Sequence, residues 1–340
     1  MKKLNIYFNK KYLSDNKKCE GIFYPFIEPL ASNPNDPDFN RFDEYIASGK
    51  DYFNVSDNMA DSDLAIWPES WAPNNDNIKE FLEEVEKYQK PAVFFFYNDS
   101  TEKINVGKHF LFRPSLYRSS RVANEFAVPG VSEDFVKNYF NGNLPIKEKE
   151  AKPIVGYCGY ATESLWFSKL KKIFTRSDGW LVRSRAIKNI SKNSEIISNF
   201  IIRRSFWGGI YQKGPNTDYQ EMKRVRREFV DNIVNSNYII CARGAGNFSY
   251  RFYETLSLGR IPVFINTDCV LPYEDYIKWR EICVWVEAKD IKNISQKIID
   301  FHNSLSATDF INLQKKCRSI WEEWLSSNGF FKNFHRHFDI

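Results

Sequence analysis

Short apolar runs alternate with amphipathic runs along almost the whole 340-residue chain. This alternation is typical of parallel α/β sheets, because each helix carries the chain back to the edge where the next strand begins. In the first half we predict a helix at 77–89, where apolar residues recur at three- and four-residue spacing. The predicted strands there are 4–8, 64–67, 92–97 and 110–112. The stretch 28–63, rich in Asn, Asp and Pro, is predicted to be a long, partly helical insertion.

The alternation continues after a break in composition near residue 150. Turn-forming residues at 141–145 and a charged run at 147–150 precede a fresh apolar run. We therefore predict an α/β protein of two successive domains, residues 1–150 and 151–320, followed by a helical segment, 321–340, that packs back towards the first domain.

The second half repeats the same pattern of elements. Thr217 to Gln220 matches a capping box with Thr217 as the N-cap, and Gly259 suits the left-handed residue that ends a helix. The predicted helices are 163–174, 218–234 and 248–258, and the predicted strands are 154–157, 200–203, 238–242 and 261–265.

Composition excludes several classes of protein. A hydrophobic content of 43% excludes disorder, and the longest apolar runs, 92–97 and 261–265, are far shorter than the roughly 20 residues of a membrane span. The N-terminal lysines are not followed by the apolar segment of a signal peptide, so we expect a cytoplasmic location. Six cysteines without a CxxC pair indicate reduced thiols, and we expect neither disulfides nor zinc.

The net charge of +5 conceals two halves of opposite sign. Residues 1–150 hold 19 Lys and Arg against 24 Asp and Glu, whereas residues 151–340 hold 29 against 19. A basic C-terminal half favours an anionic ligand on that side, such as a nucleotide phosphate, nucleic acid or anionic lipid.

The segment 241–254 combines the end of a strand, a glycine loop and the start of a helix. Gly244 and Gly246 allow a ligand to approach the backbone, and the first turn of the helix offers amide groups to an anion. Arg243 adds a planar cation suited to phosphate oxygens. Arg251 and Glu254 are three residues apart and share a helix face, where a simple surface ion pair is the alternative.

The run 236–279 resembles the C-terminal signature of the exostosin-type glycosyltransferases. The matching positions are Arg243-Gly244, the Ser249-Tyr250-Arg251-Phe252-Tyr253-Glu254 helix start, Gly259, Ile261-Pro262-Val263, Asp268, Leu271-Pro272-Tyr273 and Trp279. Weaker similarity occurs at 109–115, 126–129 and 154–159. One departure is Arg260, where the family usually has Cys; we expect it in a turn.

The resemblance implies a GT-B fold, with an N-terminal Rossmann-like domain for the acceptor and a C-terminal one for a nucleotide sugar, usually a UDP-sugar. It also implies inverting transfer. The donor would bind at Arg243, Gly244, Gly246, Asn247, Ser249, Tyr250, Arg251 and Glu254. In this assignment Arg243 contacts the diphosphate with help from Arg251 and the amides of 246–248, and Glu254 accepts the ribose hydroxyls.

An inverting transfer requires a base from the acceptor side. Glu69 follows a predicted strand between Trp67 and Trp71, whose rings could stack on a sugar, and Asp99 and His109 are the other candidates. For each, a solvated loop residue or capping group is the alternative. Asp61-Ser62-Asp63 resembles a metal-binding Asp-x-Asp motif but precedes a strand of the acceptor half, so we expect a capping role, no essential metal and no cofactor besides the donor substrate.

The basic run 223–227 is predicted to be the solvated face of a helix, with contact to anionic lipid headgroups as a secondary option. The expected partners are a nucleotide sugar and a glycan acceptor, with a lipid-linked acceptor and peripheral contact at the inner membrane face as options, and no nucleic acid. Three alternatives remain open at this point. One is a GT-B transferase with another donor such as GDP-fucose, the second is a non-catalytic nucleotide- or glycan-binding module, and the third is a nucleic-acid binder built on the basic face.

Overall fold

The structure is a computed structural model, and it describes residues 3–14, 19–27, 36–37, 39–72, 75–161, 179–210 and 218–338. The predicted helix at 163–174 and the predicted N-cap Thr217 lie outside these residues.

The first sheet contains six parallel strands in the order β2-β1-β3-β4-β5-β6. They are β1 Leu4–Tyr7, β2 Phe53–Ser56, β3 Leu64–Ile66, β4 Ala92–Phe95, β5 Phe110–Arg113 and β6 Glu125–Ala127. Its helices are α1 Asp43–Tyr52, α2 Asn77–Lys87 and α3 Phe135–Phe140. Helix α1 and strand β2 occupy the second part of the predicted insertion 28–63.

The second sheet contains five parallel strands in the order β11-β10-β9-β7-β8. They are β7 Ile154–Tyr160, β8 Ile197–Arg203, β9 Tyr238–Cys241, β10 Ile261–Asn266 and β11 Val284–Glu287. The helices that accompany it are α4 Gly179–Ile190, α5 Tyr219–Val234, α6 Tyr250–Ser257, α7 Trp279–Ile282, α8 Ile294–Ser304, α9 Ala307–Ile320 and α10 Ser327–Asn333.

The predicted α/β class is confirmed, and so are the two parallel, Rossmann-like sheets that the resemblance implies. In both sheets the first strand lies between the second and third strands of its half. The strand order therefore reverses between β1 and β3, and again between β7 and β9. Ligands of open α/β sheets bind beyond the carboxyl ends of the strands at such a reversal.

Local signals at helix ends were right in one case and wrong in another. Gly259 has a φ of +63°, as expected for the residue that stops α6. The predicted capping box is wrong, because α5 has Asp218 as its N-cap, whose Oδ1 accepts from the amides of Gln220 (3.0 Å) and Glu221 (3.1 Å). A carboxylate at that position satisfies two orphan amides and also opposes the positive end of the helix dipole.

The C-terminal segment lies against the first sheet. The rings of Phe331 and Phe334 meet Phe53 edge-on at 5.3 and 5.8 Å, and Phe338 meets Phe110 at 4.9 Å. One apolar cluster extends through both sheets and this segment. The exact domain boundaries stay a prediction.

None of the helices in the described residues is long and apolar enough to cross a membrane. All six cysteines are free thiols. Burial raises the pKa of the Cys241 thiol to about 12, so this residue behaves as a small core side chain.

Candidate functional site

The loops at the carboxyl ends of the two sheets contact one another directly. Asn247, in the loop after β9, donates its backbone amide to Ser115 Oγ (2.8 Å) and its side-chain amide to the carbonyl of Leu116 (3.0 Å). Its Oδ1 accepts from Thr267 Oγ1 (2.6 Å), and Asn247 is 0% exposed. The prediction that Asn247 binds the donor is therefore corrected: its polar groups are used to join the two sheets.

Arg243 lies two residues after Cys241, the last residue of β9, and is beside the reversal of strand order. Its Nη1 donates to the hydroxyl of Tyr117 (2.7 Å) and its Nη2 to the carbonyl of Ala245 (2.9 Å). The side chain is buried, so the guanidinium has a defined orientation at the carboxyl edge of the sheet. Tyr117 was not found from the sequence, although it stands two residues after the similar segment 109–115.

The two glycines of the loop have different surroundings. A Cβ built on Gly246 would lie 2.8 Å from Asp99 Oδ1 and 2.9 Å from Ser115 Oγ, in the loops that follow β4 and β5 of the first sheet. A Cβ on Gly244 would meet nothing closer than a carbonyl at 4.0 Å. Gly244 therefore has the open space that close approach of a ligand requires, whereas Gly246 is needed for contact between the sheets.

Arg251 reaches the strand on the other side of the reversal. Its Nη2 donates to the carbonyl of Cys158 in β7 (2.8 Å), and its guanidinium lies 4.3 Å from the centre of the Tyr157 ring. Gly159 has a φ of +151°, and a Cβ there would lie 2.7 Å from Arg251 Nη2. Arg243 and Arg251 thus lie at the carboxyl ends of β9 and β7, on the two sides of the reversal.

Helix α6 begins at Tyr250, two residues later than predicted. Ser249 is its N-cap residue and makes no side-chain capping bond. Tyr250 is 42% exposed, and its ring contacts the ring of Phe248 and the guanidinium of Arg41. Of the amides at 246–248 that were assigned to the diphosphate, that of Asn247 is excluded because Ser115 already accepts from it.

Glu254 is bound by a residue of the basic run. Its Oε1 accepts from Arg226 Nη1 at 3.2 Å, and Arg226 is only 5% exposed. The predicted solvated face is correct for Arg224 and Arg227, whose exposed side chains pair with neighbours on α5. It is wrong for Arg226, because that position of the helix faces the interior together with Met222 and Val225.

The three base candidates occupy different places. Asp99 follows β4 at the carboxyl edge, is exposed, and lies against Gly246. Glu69 follows β3 at the same edge but is 2% exposed, and its carboxylate accepts from the amide and hydroxyl of Ser14 and from Asn75. His109 directly precedes β5, so it lies at the opposite, amino edge of the sheet and is not brought to the loop 242–249 between β9 and α6.

The surroundings of His109 include a backbone hydrogen bond and an open groove. Its Nδ1 accepts from the amide of Ala92 at 3.4 Å, and burial, with Lys108 adding to the effect, lowers its pKa. It lines a groove of about 730 Å³ along α2 together with Trp71. Trp67 is 0% exposed, so the expectation that it stacks on a sugar is wrong, while Trp71 retains access to this groove.

A second carboxyl group next to Glu69 was missed. Glu20 is 6% exposed and donates its amide to the carbonyl of Pro68 at 2.8 Å. Burial raises its pKa to about 8, and the nearby Glu69 carboxylate adds to the shift. The sequence offered no signal for this pair, since 49 positions separate the two residues.

The acidic motif at 61–63 has local partners. Asp63 Oδ2 accepts from the amide of Asn5 (2.8 Å), and Asp61 Oδ2 accepts from the side-chain amide of Asn58 (2.7 Å). Within the described ranges, no three His, Cys, Asp or Glu side chains are grouped so that they could hold a metal ion.

Arg260 is buried, which the expectation of an ordinary turn did not foresee. It is 1% exposed and donates to the carbonyls of Val234 and Pro145 and to Gln314 Oε1. Burial lowers its pKa to about 10. The departure from the family's Cys thus places a cation in the core that ties three segments together.

Comparison with known proteins shows which family and which relatives this chain is similar to. Residues 188–300 match the Exostosin GT47 domain. The chain is 26% identical to "Exostosin-1" of Drosophila melanogaster over 121 residues, 36% of this chain and 15% of that protein. It is 30% identical to the "Probable glucuronoxylan glucuronosyltransferase F8H" of Arabidopsis thaliana over 118 residues, 32% of this chain and 24% of that one.

The chain therefore spans a quarter or less of the length of these two relatives. Among solved structures, a glycosyltransferase from Rickettsia africae ESF-5 aligns with 91% of this chain and 83% of its own, at 13% identity and a TM-score of 0.42. The family match over residues 188–300 and the signature residues show that this part of the chain is similar to the exostosin-type glycosyltransferases.

Proposed function

We propose that the chain is an inverting glycosyltransferase that transfers a sugar from a UDP-sugar to a growing polysaccharide or lipid-linked glycan. The observation that carries the proposal is the position of Arg243 and Arg251 on both sides of the strand reversal between β7 and β9. An open α/β sheet binds its ligand at this point, and two arginines there suit a diphosphate.

In the proposed reaction an acceptor hydroxyl attacks the anomeric carbon of the donor sugar. The bond from that carbon to the diphosphate oxygen breaks, and the nucleoside diphosphate leaves with the electron pair. Negative charge grows on the diphosphate as the bond breaks, so cations that are already oriented lower the barrier. Arg243 is oriented by its hydrogen bonds to the Tyr117 hydroxyl and the Ala245 carbonyl.

The acceptor hydroxyl loses its proton, and we propose Asp99 as the base. A base must come within hydrogen-bond reach of the hydroxyl. Asp99 is exposed and lies against Gly246 of the loop 242–249, which we call the donor loop. The Glu69 carboxylate, by contrast, is buried and accepts three hydrogen bonds. Asp99 is therefore a better candidate than Glu69, although the neighbouring tryptophans had favoured Glu69.

We also propose that no metal is needed, because the two arginines supply the positive charge that a divalent cation would otherwise bring to the diphosphate. Transfer should then continue unchanged in EDTA, and a loss that Mg²⁺ or Mn²⁺ restores would contradict this point. We also propose a cytoplasmic location with peripheral contact at the inner membrane face. Cell fractionation tests it by measuring how the protein divides between the cytoplasmic and membrane fractions.

The proposed function can be tested by calorimetric titration with UDP, uridine and a panel of UDP-sugars and GDP-fucose. The wild-type protein should bind UDP, and saturation at 100 times the dissociation constant should stabilise it by about 2.7 kcal/mol. Arg243→Ala should weaken UDP binding and lower turnover by about 10²–10³-fold, with little effect on uridine, which has no diphosphate.

Arg224→Ala is the matched control, since Arg224 is an exposed arginine of the same half of the chain. Absence of binding by every UDP compound would refute the assignment of the donor. Binding of GDP-fucose alone would favour the other GT-B transferase, and binding without any transfer would favour the non-catalytic module.

A further inference from the structure

Arg226 is the one buried basic residue of the run 223–227, whereas Lys223, Arg224 and Arg227 are exposed. It lies on α5 between two carboxylates, with Nη1 at 3.2 Å from Glu254 Oε1 and Nε at 3.9 Å from Glu133 Oε2. Both carboxyl groups have little access to solvent, at 15% and 1% of their side-chain surface.

Aromatic rings fix the plane of this guanidinium. Its central carbon lies 4.7 Å from the centre of the Trp207 ring and 5.6 Å from that of Phe135. Guanidinium groups stack well on aromatic faces, and a stacked guanidinium has few orientations left. The direction of the N–H group towards Glu254 is therefore set by the protein.

Glu133 is in turn held from its other oxygen. Its Oε1 accepts from the side-chain amides of Asn138 (2.8 Å) and Asn40 (3.3 Å). Burial raises the pKa of Glu133, while Arg226 and these two amides act in the opposite direction. Glu133, Arg226 and Glu254 thus form a buried row of charges that starts just before α3, passes through α5 and ends on α6.

Glu254 depends on this chain for its orientation. Among the described residues, Arg226 is the only side chain that hydrogen-bonds the Glu254 carboxylate, and it contacts one oxygen only. A carboxylate that binds a vicinal pair of hydroxyls must present its oxygens in a fixed direction, because a small displacement lengthens both bonds.

We propose that Arg226 is a positioning residue that holds Glu254 in the orientation that binds the ribose hydroxyls of the donor. The inference rests on the proposed function and adds to it a second layer, in which Glu133 holds Arg226. Arg226 acts only through Glu254 and makes no contact with the donor itself.

The test compares the affinity for UDP with that for 2′,3′-dideoxyuridine diphosphate, which lacks both ribose hydroxyls. The wild-type protein should prefer UDP by about 10- to 100-fold, the size expected for hydrogen bonds to a charged group. Arg226→Gln should reduce this preference to less than threefold, with little change in the affinity for the dideoxy compound. Arg226→Lys should retain part of the preference.

Arg224→Gln and Arg227→Gln are matched controls, because they make the same substitution on exposed positions of the same helix, and both should keep the wild-type preference. Thermal unfolding verifies that each variant is folded. If Arg226→Gln does not fold, Glu133→Gln serves instead: it removes the outer charge, keeps the shape of the side chain, and should lower the preference severalfold.

The outcomes separate the two proposals. A folded Arg226→Gln variant with the wild-type preference would overturn the role of Arg226, and so would an equal loss of affinity for both nucleotides, which indicates a structural effect. If the wild-type protein binds neither nucleotide, the proposed function fails and this inference fails with it. If it binds both equally, the ribose role of Glu254 is refuted while the assignment of Arg243 stands.

Discussion

Replacement of Gly246 by alanine should damage the contact between the two sheets, whereas the same change at Gly244 should not. The added methyl group at Gly246 would lie 2.8 Å from Asp99 Oδ1 and 2.9 Å from both Ser115 Oγ and Phe248 Cε1. At Gly244 the nearest atom is a carbonyl oxygen at 4.0 Å. The two glycines are two positions apart in one loop, so each is a control for the other.

The expected magnitude follows from which neighbour can move. The carboxylate of Asp99 is exposed and can rotate away at little cost. Ser115 Oγ cannot, because it donates to the carbonyl of Asp99 and accepts from the amide of Asn247. An added methyl group in such a packed contact costs about 1–3 kcal/mol, and we expect Gly246→Ala to destabilise the protein by this amount.

The functional effect of Gly246→Ala should be larger than its effect on stability suggests. Asp99 and Arg243 stand on opposite sides of this contact, and a displacement of about 1 Å between reacting groups can cost about 10²-fold in rate. Gly244→Ala should change stability by less than about 0.5 kcal/mol. It should nevertheless weaken binding of UDP by about tenfold if the diphosphate approaches the backbone there.

Urea unfolding gives the stability of both variants, and calorimetric titration with UDP and turnover with a UDP-sugar give the functional effect. Equal stability of the two variants would refute the steric argument. Full turnover by Gly246→Ala, despite a measured loss of stability, would refute the idea that this contact aligns the base with the donor loop.

Two further predictions concern the carboxyl groups of the first sheet. Asp99→Asn should lower turnover by about 10²–10⁴-fold with UDP binding unchanged, whereas Glu69→Gln should mainly lower the urea midpoint; the reverse pattern in kinetic and unfolding measurements would make Glu69 the base. Burial raises the pKa of Glu20 from 4.5 to about 8, so its contribution to stability is complete below pH 4.5 and is lost as the pH rises to 8. Relative to Glu20→Gln, the free energy of unfolding of the wild-type protein should fall by up to about 1.4 kcal/mol per pH unit in this window. Parallel curves of unfolding free energy against pH for the two proteins from pH 5 to 8 would contradict the buried position of Glu20.

Much of the fold could be predicted because the signals are local. Strands such as β4 and β10 are continuous apolar runs, and buried parallel strands need no more than that. Strand β6 has only three residues, and its pairing with β5 decides that it is a strand at all. Helix α1 has a weak apolar pattern and is held by its contact with the C-terminal segment, so the sequence around it indicates only partial helix.

For the candidate site, local sequence order indicates which side chains can contact an anion, whereas long-range packing sets what each of them contacts. The order of strand, glycine loop and helix predicts that Arg243, Gly244 and Arg251 lie where a parallel strand ends and a helix starts, which is where open α/β sheets bind anionic ligands. The assignment of Asn247 and Gly246 to the sheet contact, and of Arg226 to Glu254, depends on residues 28 to 147 positions away. Burial and partnership across such distances are set by packing, which no local pattern records.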